Sequence, residues 1–364
     1  MQNKMDYLQY LSCCAGVIDG DRLYTVDEDL GVLVEYDLKD LSYCILAKIG
    51  DNTQPVIVDK LFKINNIIFL ILQNTYNIWM YDLITQKLSV IGADEADLPY
   101  ERELNDIAYQ WKDCFYIMPG RRGHKIKVFN WKTYKFVGEI QLEDNCEKKD
   151  RVPINIGIRE GKIWYTIFNT SNLIEIDIET GEKKIWVIDE KEHILAASFG
   201  EKGIWLFLSS NILVKWNPKE MITETYNMQN SAIDMEKLVF RNVFEIGEMV
   251  YIVPNFSSCM WVIDKTTRKK RDIEYPVGFK RVPPKLKRDL FVTVLINGGQ
   301  LILLPYAVNM LIQVDLKSEK IVSWECKFSK RDLWEYYIQK VMMTTGIQEN
   351  EVFNISDYIE RLLD

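Results

Sequence analysis

Histidine is nearly missing from this chain, with His124 and His193 the only two among 364 residues. A histidine-built metal centre or acid–base pair therefore has almost nothing to draw on. The other common catalytic signatures are missing too: Gly-x-Ser-x-Gly, His-Glu-x-x-His and Cys-x-x-Cys do not occur. Gly157-Ile-Arg-Glu-Gly161-Lys162 looks like a phosphate loop one residue short and without its Ser or Thr. It also coincides with an expected hairpin turn, so it carries no nucleotide assignment. No cofactor and no metal are expected, and no catalytic residue can be named.

Basic excess is lacking as well. Lys and Arg number 45 against 53 Asp and Glu, a net charge of −8. Nucleic acid, which demands a basic footprint, is not expected as a partner. No apolar run approaches the roughly 18 residues of a membrane span. The opening MQNKMDYLQYL has no apolar core behind a basic start, so no secretory signal is expected. The seven cysteines (13, 14, 44, 114, 146, 259 and 326) are odd in number and irregular in spacing. They are expected to be reduced thiols in a cytoplasmic protein.

What is present is a repeat. Polar residues closing an apolar run recur at Asp37, Asp82, Asn130, Asp177, Asn217, Asp264 and Asp315. Upstream of each stands a tight-turn dipeptide: Asp19-Gly20, Asn65-Asn66, Lys112-Asp113, Glu160-Gly161, Lys202-Gly203, Ile246-Gly247 and Asn297-Gly298. Between the two markers lie short runs rich in β-branched and aromatic residues, such as RLYTV, IIFLIL, KIWYTIF and GIWLFL. Runs of that length, bounded by turn residues, are strands rather than helices. A further turn and strand follow each polar marker, giving four strands per unit.

A four-stranded sheet with two apolar faces cannot bury both alone. Seven such units placed radially cover one another, so the expected fold is all-β, a seven-bladed β-propeller of antiparallel blades. An open solenoid or a pair of sandwiches is the rival. The propeller is expected over residues 1–328, with no sign of which terminus closes the ring. Residues 329–364 depart from the pattern. Ser329 and Ser356 read as helix caps and Gly346 as a stop, predicting a short helical extension.

The units VYIVPNFSSCMWVIDKTT (250–267) and KIWYTIFNTSNLIEIDIETGE (162–182) resemble the repeats of bacterial YVTN-type propellers. The Trp-Asp dipeptide of WD40 blades does not occur, and the double Gly of kelch repeats occurs once, at Gly298-Gly299. The resemblance implies the fold and a binding role, and brings no catalytic residue with it.

In such a fold, loops joining second and third strands share one face with the blade connectors, where ligands commonly sit. Candidate residues in those loops are Arg121, Arg122, Asn169, Asn255 and Tyr306. A second set comes from the repeat phase. The positions expected to open the innermost strands of blades three to seven hold Arg102, Arg151, His193, Lys237 and Arg288. Together they would make a basic funnel on an acidic protein, suited to carboxylates or phosphates. The expected function is a binding or scaffold module for an anionic small molecule, a peptide or a protein partner. The alternative is a lyase or hydrolase acting on an anionic sugar or peptide in the funnel.

Overall fold

The computed structural model describes residues 12–325, apart from 29, 41, 50–57, 73–76, 93–107, 119–124, 143–152, 229–238, 256, 258, 281–289 and 307. The predicted division at residues 328 and 329, and the helical extension beyond it, lie outside the described residues. So do Cys146 and Cys326. No helix occurs among the described residues, and thus none long and apolar enough to cross a membrane.

The chain is a seven-bladed β-propeller. Seven sheets, each of four consecutive antiparallel strands, follow one another along the sequence. Blade one comprises Cys13–Asp19, Arg22–Asp27, Val32–Asp37 and Tyr43–Lys48; blade two Val58–Ile64, Ile67–Leu72, Ile78–Asp82 and Lys87–Gly92. Blade three comprises Ala108–Trp111, Cys114–Ile117, Lys125–Asn130 and Lys135–Gln141; blade four Pro153–Arg159, Lys162–Ile167, Asn172–Asp177 and Lys183–Val187. Blade five comprises Ile194–Gly200, Gly203–Leu208, Ile212–Asn217 and Met221–Asn227; blade six Phe240–Ile246, Met249–Pro254, Cys259–Asp264 and Lys269–Glu274. Blade seven comprises Val294–Asn297, Gln300–Leu303, Met310–Asp315 and Ile321–Glu325. The first strands of adjacent blades lie against one another around the axis, and the fourth strands form the exposed rim.

The second strands are buried on both faces, which is why they read as unbroken apolar runs rather than alternating ones. Successive side chains point to opposite blade faces and enter different seams. Leu23 packs toward blade seven with Ile302 and Leu311, whereas Tyr24 packs toward blade two with Leu61 and Ile68. Cys13 and Cys14 divide in the same way, and both are free buried thiols. The buried apolar residues form seven clusters, each centred on the seam between two neighbouring blades.

One of those clusters closes the ring. Among the described residues no strand is exchanged between blades seven and one; side chains and main-chain contacts join them instead. Cys13 N–H donates to the Pro305 carbonyl at 2.8 Å, and Thr293 Oγ1 donates to the Cys14 carbonyl at 3.0 Å. Tyr306 Oη donates to Glu28 Oε2 at 2.8 Å.

Candidate ligand-binding face

The two ends of the propeller are built differently. At the lower end lie the turns joining first to second and third to fourth strands. Every polar marker residue makes the same contact there. Its side-chain oxygen accepts the N–H two residues on, at 2.8–3.2 Å in all seven blades. In blades two to seven it also accepts the N–H three residues on. Asp and Asn are favoured here because a short carbonyl-bearing side chain can satisfy a turn's orphan amides. These bonds hold the carboxyls of Asp82, Asp177, Asp264 and Asp315 below the usual carboxylate range.

The residue after the marker then stitches the two turns together. Its N–H reaches a carbonyl of the first hairpin in six blades: Leu38 to Asp21, Leu83 to Asn66, Trp131 to Asp113, Ile178 to Gly161, Lys265 to Glu248 and Leu316 to Gly299. Blade five has Pro218 at that place, which has no N–H to give. In blades one, six and seven the central turn pair falls one residue later than the sequence reading put it, as at Gly298-Gly299, where both φ angles are positive, and in blade five it falls one residue earlier, at Glu201-Lys202.

At the upper end, among the described residues, the recurring bonds are of the main chain: the N–H groups of Glu28, Ser209 and Asn255 donate to the carbonyls of Ser12, His193 and Val239, which precede the first strands of their blades. The side-chain contacts differ from seam to seam. At the seam of blades seven, one and two, Asp27 caps its loop by accepting the N–H groups of Ser12 and Leu30, each at 2.8 Å. Glu28 receives Tyr306, and Asp59 lies buried nearby on blade two. Burial pushes the Cys14 thiol well up, and the charges of Glu28, Asp59 and Asp27 add to the effect. It stays a neutral core group.

At the seam of blades four and five, the loop holding Asn169 pairs with the start of the next blade. Asn169 N–H donates to the Ile194 carbonyl at 3.0 Å, and Thr170 bridges Ile194. Glu192 Oε2 accepts Ser209 Oγ at 2.8 Å and the Ser210 N–H at 2.9 Å. Burial alone would raise the Glu192 carboxyl, but the donors from Ser210 and Ser209 outweigh it and hold the group down. Between blades six and seven, Asn309 ties down the connector, accepting the Lys280 N–H at 2.8 Å and donating to the Gly278 carbonyl at 3.0 Å.

The described candidates divide by exposure. Asn169 and His193 are exposed at the upper end of blades four and five, with Asn169 at φ 62°. Asn255 is 1% exposed, its main chain joining the Val239 carbonyl to the Leu290 N–H, and Tyr306 is 4% exposed in the closing seam. Arg102, Arg121, Arg122, Arg151, Lys237 and Arg288 lie outside the described residues. The innermost strands begin at Ala108, Pro153, Ile194, Phe240 and Val294, so all five basic phase positions precede them in sequence. Sequence reasoning missed Asp27, Glu28 and Glu192. Their only signal was an acidic residue in a loop or connector, and solvation explains that equally well. Among the described residues, no group of three or more His, Cys, Asp or Glu side chains is arranged to hold a metal ion.

No family model matches the chain. A stretch of 202 residues, 54% of the chain, is 24% identical to the poly(ribitol-phosphate) beta-glucosyltransferase of Bacillus spizizenii, and covers 31% of that protein's length. Among solved structures, virginiamycin B lyase from Staphylococcus aureus, in a catalytically inactive form with quinupristin, superposes with a TM-score of 0.56. It does so at 10% identity, over 87% of this chain and 96% of that one. The WD40 repeats of RRP9 give 0.54 at 11% identity over 80% and 87%. BamB from Moraxella catarrhalis gives 0.51 at 10% identity over 86% and 85%. What they share with this chain is the fold. It is a fold typical of binding and scaffold proteins.

Proposed function

We propose that the chain is a non-catalytic recognition module whose upper face takes an anionic ligand. The observation that carries this reading is the contrast between the ends. Every turn between third and fourth strands is closed by its own Asp or Asn, while the upper loops differ in sequence from blade to blade and carry the exposed Asn169 and His193. The connectors add Arg102, Arg151, Lys237 and Arg288, and the second loop of blade three adds Arg121 and Arg122. Guanidinium groups from several blades would engage carboxylate or phosphate by paired hydrogen bonds. The partial relative named for poly(ribitol-phosphate) makes a phosphate-bearing polymer the first ligand to try.

The test is equilibrium binding of poly(ribitol-phosphate) against an uncharged polymer of similar length, at increasing salt. Selective, salt-sensitive binding that weakens at least about tenfold when Arg151 and Arg288 are both replaced by Ala supports the reading. Equal binding of the neutral polymer, or an unaffected double variant, overturns it. Turnover of the bound polymer would favour the enzyme alternative.

A further inference from the structure

On the upper face, the seam of blades four and five carries a chemistry of its own. Asn169 N–H donates to the Ile194 carbonyl at 3.0 Å, Ser209 N–H to the His193 carbonyl at 2.9 Å and Ser171 Oγ to the Glu192 carbonyl at 2.6 Å. The stretches 169–171, 192–194 and 209–210 are therefore strapped together through their main chain. The side chains on this frame include Asn169, Ser171, Glu192, His193, Ser209 and Ser210, all of them polar.

Part of their hydrogen-bonding capacity is unused. The two bonds of the Glu192 carboxylate, from Ser209 Oγ and the Ser210 N–H, both fall on Oε2, and the Ser210 hydroxyl adds to the donors around it. Oε1 accepts no hydrogen bond among the described residues. The side chains of Asn169 and His193 make none there either, their bonds being of the main chain. In the loop of Ser209 and Ser210, Asn211 Oδ1 is buried with no hydrogen-bond partner, an acceptor still lacking its donor.

Charge decides what can use these groups. The donors of Ser210 and Ser209 keep Glu192 ionised, so a phosphate or carboxylate placed beside Oε1 meets a like charge. A cation needs acceptors alone, whereas Asn169 and His193 also present N–H donors. A neutral hydroxyl both donates and accepts, and adjacent hydroxyls can give to Oε1 while taking from the Asn169 amide or the His193 ring.

We propose that this seam binds a neutral polyhydroxyl unit, an alditol or a sugar. The inference rests on the proposed anion reading in one respect, that the unit belongs to a polymer whose phosphates go to the basic connector positions.

The test is saturation-transfer difference NMR on the full chain, titrating ribitol and glucose as separate probes. Pentane-1,5-diol, as long as ribitol but without adjacent hydroxyls, is the comparison. Ribitol or glucose should bind and the diol should not, and the preferred probe separates an open-chain unit from a ring. Glu192→Gln keeps an oxygen for Ser209 and Ser210 but turns the open acceptor into a donor. It should weaken polyol binding about tenfold, and Asn169→Gly, which tolerates the positive φ, about threefold. Glu182→Gln, at the lower end of blade four, should change nothing. Binding of neither polyol, equal binding of the diol, or indifference to both seam variants would overturn the assignment. Salt-sensitive binding of poly(ribitol-phosphate) would then still stand for the anion reading, whereas polyol binding without polymer binding would remove that reading and keep this site.

Discussion

Two glutamates show how differently the ends of this propeller are made. Glu245, near the lower turn of blade six, is 2% exposed at its side chain, and its Oε1 takes Lys215 at 2.7 Å and Lys265 at 2.9 Å. Its other oxygen accepts the Glu201 N–H at 2.9 Å, so one carboxylate locks blades five and six together. Glu192, at the upper end of blades four and five, is half-buried and held only by Ser209 and Ser210. The lower end invests charge in rigidity. At the upper end Glu192 is held by neutral donors, and the neighbouring Asn169 and His193 are exposed.

The sharpest way to break this comparison is Glu245→Ala. It removes the carboxylate shared by Lys215 and Lys265, leaving Lys215 with Glu224 at 3.4 Å, and should cost about 3 kcal/mol of unfolding free energy in denaturant titration. A loss below about 1 kcal/mol would mean the lower end is not electrostatically locked.

Acid should act on the same site. Burial alone would raise the Glu245 carboxyl, but Lys215 and Lys265 outweigh it and bring it down to about 2. Its folded value lies below its unfolded one, near 4.3. The stabilisation is therefore complete above that range and fades as pH falls from about 4 toward about 2. Glu245→Gln should flatten that part of the stability–pH profile, and an unchanged slope would assign acid sensitivity elsewhere.

Asn130→Ala removes the bonds to the amides of Lys132 and Thr133, both at 3.0 Å, and should cost about 1 kcal/mol. The smallest effect is expected at the upper end. His193→Ala should move stability by no more than about 0.5 kcal/mol, since the side chain is exposed. Any change in anion binding by that variant can then be read without a folding correction.

The strand layout was legible because local chemistry writes it. A positive-φ turn, a β-branched run and an Asp or Asn at the third strand's end are each decided within a few residues. The facing of the innermost strands was not. Their upper ends carry bulges in blades one, two, four, five and six, with Cys14, Asp59, Ile156 and Leu195 as extra residues in the first four. One inserted residue reverses the facing of all that precede it. Asn255 and Tyr306 sit in loops whose composition reads as solvated, yet both are buried. For Tyr306 the partner is Glu28 of blade one, 278 positions away, and Asn255 is tied to Val239 and to Leu290 of the following connector. The Glu245 network was invisible for the same reason, its lysines arriving from separate strands.

That no strand is exchanged at the closing seam among the described residues has a consequence for chain topology. Each blade is complete in itself, and each seam is sealed by its own cluster of side chains, the one between blades seven and one included. The ring therefore has no privileged starting point. A chain reopened at another connector, with residues 12 and 325 joined by a linker, keeps every sheet and every seam. The order of blades in the gene is then a matter of history, and the circle itself is what folds.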